Sequence, residues 1–74
     1  MIRIYYANDE EIGSVNFKMC PYHPLNIGQK LNFISCINKN VKNHKYEVID
    51  VETEISVNGY NVIETVERVY LSLI

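Results

Sequence analysis

Polar and apolar residues alternate with a period of two along most of this chain. At its start, Ile2, Ile4 and Tyr6 fall on one side of an extended segment. Arg3 and Tyr5 fall on the other side. β-Branched and aromatic residues in this pattern favour a pleated strand. The same pattern, interrupted by Gly, Pro and Asn-rich stretches, predicts five strands at residues 2–7, 12–19, 29–37, 46–57 and 60–74.

The connections differ in character. Residues 8–11 form a charged turn, so the first two segments are predicted to pair as a hairpin, with Gly13 marking a candidate bulge. Residues 20–24 contain two prolines, which have no amide proton to donate to a central strand. This stretch is therefore predicted to cross the surface, and the Lys-rich stretch 38–45 is predicted to be a hairpin tip.

The dipeptide Asn58-Gly59 predicts a tight reversal, because a type I′ turn needs positive φ at both central positions. The register that follows from this turn sets Asp50 directly opposite Glu67, an unfavourable pair of like charges. In that register the apolar side of the ribbon also changes near these two residues. A bulge at this point would account for both features, so we predict a strongly bent hairpin.

These features predict an all-β fold in a single domain over residues 1–74. The expected architecture is a small five-stranded, strongly bent antiparallel sheet or partly open barrel. The alternative is an α+β fold with a C-terminal helix at 61–74, because the apolar residues there also fit a helical spacing. The many β-branched residues and the preceding turn favour a strand.

Composition limits the function classes. The chain has 74 residues, of which 47% are hydrophobic, and a formal net charge of −2. This balance argues against a strongly basic nucleic-acid binder, and no apolar run approaches the roughly 18 residues of a membrane span. The first residues lack the features of a signal peptide, so we expect a cytoplasmic protein without a membrane partner. Self-association would help to stabilise so small a domain.

Three carboxylates alternate along the fourth segment. Asp50, Glu52 and Glu54 are expected to point to one side of the strand, about 7 Å apart. Tyr5 is predicted to be exposed beside them, and tyrosine is enriched at interfaces. The leading hypothesis is a non-enzymatic protein-interaction module. The abundance of Asn and Ile further suggests a phage or mobile-element accessory protein that binds and inhibits or modulates a host protein.

The alternative hypothesis is a small nucleic-acid-binding barrel that uses the basic loop at 38–46. Lysines there would contact phosphates and a tyrosine would stack on a base. The residues in question are Lys39, Lys42, His44, Lys45 and Tyr46.

Metal binding and catalysis are weaker hypotheses. Cys20, His23, Cys36 and His44 have the donor types of a zinc site, but a nine-residue strand would hold the two pairs ~30 Å apart. Cys20 and His23 also lack a third group to orient them as a nucleophile and base. We therefore expect no metal, no cofactor and no enzymatic activity.

Overall fold

The computed structural model describes residues 1–33 and 44–74, except for the side chain of His44. Strands make up 70% of the described residues, and these residues form no helix. The alternative helix at 61–74 is therefore wrong, because a strand runs through that segment. The strands are β1 (Ile2–Ala7), β2 (Glu10–Asn16), β3 (Lys30–Phe33), β4 (His44–Asn58) and β5 (Asn61–Leu73).

The five strands form one sheet in the order β2-β1-β5-β4-β3. The sheet curls through 268° as a half-barrel, which confirms the predicted all-β, strongly bent architecture. It is mixed rather than wholly antiparallel, because β1 and β5 pair in parallel. Consecutive strands alternate in direction, so the fifth strand runs in the same direction as the first. Bringing the two side by side makes a parallel pair unavoidable.

The turn between β1 and β2 consists of Asn8 and Asp9, whose φ angles are 52° and 62°. Positive φ at both positions is the type I′ conformation, and Asn and Asp tolerate it better than most residues. The β1–β2 ladder then shifts between Tyr5 and Tyr6, which leaves one extra residue of β2 beside Gly13. This bulge lies where the sequence predicts one.

The reversal between β4 and β5 differs from the prediction by one residue. Asn58 pairs with Asn61, so the central turn residues are Gly59 and Tyr60 rather than Asn58 and Gly59. Glycine at the first central position, with φ of 61°, is the type II′ arrangement. Both turn types suit the twist of a hairpin, so the Asn-Gly signal locates the reversal without fixing its centre.

The displaced turn, together with a ladder shift between Ser56 and Val57 that leaves Ile63 as an extra residue of β5, changes the charge pairing along the hairpin. Asp50 lies opposite Tyr70, and Glu52 lies opposite Arg68. The predicted pairing of Asp50 with Glu67 is wrong, since Glu67 lies opposite Thr53. The observed register replaces a like-charge pair with an opposite-charge pair, which is the more stable cross-strand arrangement.

A bulge at Ile49 divides β4 into two parts. The β4–β5 ladder shifts between Val48 and Asp50, as predicted for this region, and Ile49 is the extra residue. Val48 is fully buried, Ile49 is 52% exposed, and Val51 packs against the core. Inward positions are therefore even-numbered before the bulge and odd-numbered after it. This switch keeps the carboxylates at 50, 52 and 54 on the outer face.

Deleting Ile49 should abolish the fold, whereas Ile49→Thr should change the free energy of unfolding by no more than about 0.5 kcal/mol. The deletion removes the extra residue, and a slip of one residue turns every following side chain to the opposite face. Thr is β-branched and occupies the same exposed position. Urea unfolding followed by circular dichroism measures both variants, and a cooperatively folded deletion variant would contradict this account of the bulge.

The core lies on the inner face of the half-barrel, where β4 and β5 supply its buried hydrophobic residues. Tyr5 and Phe33 pack against this core, with their ring centroids 5.1 Å apart in an edge-to-face contact. The prediction that Tyr5 is exposed is therefore wrong, because odd-numbered positions of β1 face inward. The buried hydrophobic residues among those described are Tyr46, Val48, Val69 and Leu71.

A buried ion pair links the first strand to the last. Arg3 and Glu67 are direct partners in the β1–β5 ladder, and they are 2% and 6% exposed. The Arg3 Nε donates to Glu67 Oε1 at 2.5 Å. Burial lowers the pKa of Arg3, but its hydrogen bonds with Tyr5 and Glu67 outweigh this effect and leave the pKa raised. Arg3 therefore stays charged inside the fold.

Residues 17–29 close over this pair on the inner side. The Arg3 guanidinium also donates to the carbonyl of His23, and the Tyr22 hydroxyl donates to Glu67 Oε2 at 3.0 Å. The guanidinium carbon lies 4.9 Å from the centroid of the Phe17 ring and 5.2 Å from that of Tyr22. Among the side chains of residues 1–33 and 45–74, no buried polar atom lacks a hydrogen-bond partner.

Glu67→Gln should destabilise the protein by about 3–5 kcal/mol, because it leaves the buried Arg3 charge without its counter-ion. The double variant Arg3→Met/Glu67→Leu should lose less, since two apolar groups need no compensation there. Urea midpoints for the two variants decide the point. A double variant less stable than Glu67→Gln would show that the ion pair itself stabilises the fold.

Candidate protein-binding face

The outer face of the sheet presents side chains from β1, β5 and β4. On β1 and β5 the even-numbered residues point outward, because their odd-numbered neighbours contact the core. On β4 the bulge at Ile49 makes the even-numbered residues point outward as well. Three neighbouring strands thus contribute to one surface. We call it the tyrosine–carboxylate face and define it by Tyr6, Tyr70, Asp50, Glu52 and Glu54.

Tyr6 and Tyr70 stack at the centre of this face. They are direct partners in the parallel β1–β5 ladder, and their ring centroids are 5.5 Å apart with an interplanar angle of 21°. Both side chains are half-buried. Sequence reasoning chose Tyr5 as the exposed tyrosine of β1, whereas Tyr6 is the one on the outer face. Alternation separates the two residues but does not say which side faces solvent.

The carboxylate row lies beside the tyrosine pair. Asp50, Glu52 and Glu54 are all exposed and share one face, as the alternating pattern predicts. Glu54 Oε2 accepts a hydrogen bond from Arg68 Nη1 at 2.8 Å. This bond, followed by a hydrogen bond to Tyr6, raises the pKa of Arg68. Arg68 therefore joins the acidic row to the aromatic pair.

The surroundings of Tyr70 favour its neutral form. Burial is the largest cause of its raised pKa, followed by the negative charge of Glu52. Tyr6 and Asp50 act in the same direction, while the positive charge of Arg68 opposes them. The phenol is thus held protonated beside carboxylates, and it keeps a hydroxyl that can donate to a ligand.

Tyr70 should make the protein less stable in alkaline solution. Its pKa in the folded state lies above the unfolded value of about 10. The stabilisation from this shift is complete below pH 10 and is lost as pH rises through the folded pKa. Tyr70→Phe should flatten this alkaline loss and leave stability at pH 7 nearly unchanged. Urea unfolding across the pH range measures the effect, and an unaltered alkaline slope in Tyr70→Phe would contradict it.

The residues of the nucleic-acid hypothesis are only partly described. Lys39 and Lys42 lie outside the described residues, as does the side chain of His44. Lys45 is exposed on β4. Tyr46 is 8% exposed and packs against Phe33 in the core, with ring centroids 5.5 Å apart. The proposed stacking of Tyr46 on a base is therefore wrong, because its ring is already covered.

The zinc hypothesis also falls partly outside the described residues. Cys20 and His23 are exposed, and the His23 carbonyl accepts a hydrogen bond from Arg3. Cys36 and the side chain of His44 belong to the part that is not described. Within the described ranges, no three His, Cys, Asp or Glu side chains are grouped as they would be around a metal ion.

No protein-family model matches this chain, and neither a curated protein nor a solved structure matches it. None of the residues described here belongs to a helix long and apolar enough to cross a lipid bilayer.

Proposed function

We propose that this protein is a non-enzymatic protein-interaction module whose tyrosine–carboxylate face binds a basic surface of a partner protein. The observation that carries the proposal is the stacked pair of Tyr6 and Tyr70, half-buried on the solvent side of the sheet beside a row of exposed carboxylates. We place the binding surface on the outer face because residues 17–29 lie over Arg3 and Glu67 on the inner face.

Paired tyrosines suit a recognition surface. Tyrosine offers a rigid apolar ring and a polar tip, and ordering it on binding costs little side-chain entropy. In this pair each ring already packs against the other, and Arg68 lies beside them in contact with Glu54. The rings are therefore held in place before a partner arrives. Such preorganisation reduces the entropic cost of association.

The charges on this face favour a basic partner. Asp50, Glu52 and Glu54 outnumber the single guanidinium of Arg68, which is already paired with Glu54. Lysine or arginine side chains of a partner can pair with the carboxylates and lie over the tyrosine rings. An acidic partner would be repelled, so the charge pattern supplies specificity as well as attraction.

The amino-acid composition bears on the biological setting of the proposed interaction. Nine Asn and ten Ile residues against one Ala are a composition typical of A/T-rich coding sequences, as found in mobile elements. This composition supports a cytoplasmic phage or mobile-element accessory protein that binds and inhibits or modulates a host protein.

The double variant Asp50→Lys/Glu52→Lys should lose the partner. The matched control is Glu10→Lys/Glu11→Lys, which reverses two exposed charges outside the face. Cross-linking and mass spectrometry identify proteins bound by wild type and control but not by the double variant. Binding to the identified partner is then measured by calorimetry. We expect at least about a tenfold loss of affinity, because like-charge contacts cost several kcal/mol.

Two results would contradict the proposal. One is a partner that binds wild type and the double variant with equal affinity. The other is tight binding of a labelled DNA or RNA oligonucleotide that weakens steeply with salt and is lost in Lys39→Ala/Lys42→Ala/Lys45→Ala. That second result would favour the nucleic-acid hypothesis.

A further inference from the structure

The far end of the β4–β5 hairpin extends beyond the rest of the sheet. The β1 ladder extends along β5 only as far as Val66, and the β3 ladder extends along β4 from His44 only as far as Glu47. Among the described strands, those at residues 53–58 and 61–65 therefore pair only with each other. We call this two-stranded part the distal ribbon. An isolated two-stranded ribbon is marginally stable in water, so a covering layer would stabilise it.

The two sides of the distal ribbon differ sharply in polarity. Ile55 and Val57 lie on the same side, and Val62 lies directly opposite Val57. These three side chains are 56–62% exposed. Thr53 and Thr65 share this side, which carries no charge. The opposite side carries Glu54, Ser56 and Glu64.

We propose that the uncharged side of the distal ribbon packs against the same side of a second copy of this chain. The contact would be isologous, with the two ribbons related by a two-fold axis and stacked about 10 Å apart. This inference goes beyond the proposed function and rests on a different surface, since the tyrosine–carboxylate face takes no part in it.

The distribution of charge favours a second copy in this orientation. An uncharged side meets no repulsion from its own duplicate, so it is self-complementary without any matching charge. Packing through the opposite side would instead bring Glu54 and Glu64 of one copy against the same residues of the other. Only the first arrangement covers the apolar residues and leaves the carboxylates in water.

The available apolar area suits a small dimer. Tyr60 at the turn is fully exposed, in addition to the three residues on the uncharged side. Together these side chains present on the order of several hundred Å² per copy, against about 800 Å² for a standard interface. Few of the described hydrophobic residues are buried, so this added burial would be a substantial stabilisation.

Analytical ultracentrifugation of the full chain over a range of concentrations tests the proposal. Wild type should sediment as a dimer that dissociates on dilution. Val57→Thr/Val62→Thr keeps the shape and β-propensity of both residues, and it should weaken dimerisation at least about tenfold. Ile27→Thr removes an equally exposed apolar residue elsewhere and should remain dimeric. A wild type that is monomeric at every concentration would overturn the proposal, as would a dimer that persists in the folded Thr variant.

Cross-linking supplies a second test that does not depend on the folding of the Thr variant. In a background of Cys20→Ser/Cys36→Ser, Val62→Cys should give a covalently linked dimer with a short bifunctional maleimide, because ribbons stacked about 10 Å apart are too far for a direct disulfide. Ser56→Cys, on the charged side of the ribbon, should not. Equal cross-linking of both variants would place the contact elsewhere and overturn the proposal. Asp50→Lys/Glu52→Lys should still dimerise, so loss of the proposed partner and loss of the dimer are separate results.

Discussion

The ion pair between Arg3 and Glu67 is the contact on which the rest of the structure depends. Removing two charges from water is costly, and this pair is retained because every remaining donor and acceptor has a partner. Its partners come from β1, β5 and residues 17–29, so one cluster fixes the parallel pairing and the covering of the inner face. The register that sets Arg3 beside Glu67 also sets Tyr6 beside Tyr70. The stacking of the two tyrosines on the candidate binding face therefore depends on the same strand register as the buried ion pair.

The bulge at Ile49 determines which side chains of β4 point into the core and which point to solvent. Without the extra residue, the side chains that continue from Val48 would carry carboxylates to the inner side of the sheet. With it, Val51 continues the core while Asp50 and Glu52 remain in water. A single residue therefore separates an apolar inner surface from an acidic outer one. The same sorting makes the distal ribbon apolar on one side and charged on the other.

Sequence patterns predict the five strands, the bend and the carboxylate row, because alternation and turn residues are local signals. They fail where a choice depends on distant residues. Arg3 reads as an outward residue because it is charged, and its inward position depends on Glu67, 64 residues away, and on the rings of 17–29. Because Arg3 and Tyr5 share one side of β1, the same error predicts Tyr5 rather than Tyr6 on the outer face. The parallel pairing of β1 with β5 likewise has no local signal, since it joins strands from the two ends of the chain.

The placement of apolar residues connects stability with association. A domain of 74 residues has little interior, and here an ion pair with its surrounding rings occupies part of that interior. Large apolar residues such as Ile55 and Val62 are instead displayed on a ribbon that no described strand flanks. Moving them inward would enlarge the core but leave the ribbon without a contact surface. Association through the ribbon and recognition through the outer face are compatible, because they use opposite sides of the same hairpin. A dimer would then present two tyrosine–carboxylate faces, and a partner with two basic sites would bind it more tightly than either face alone could achieve.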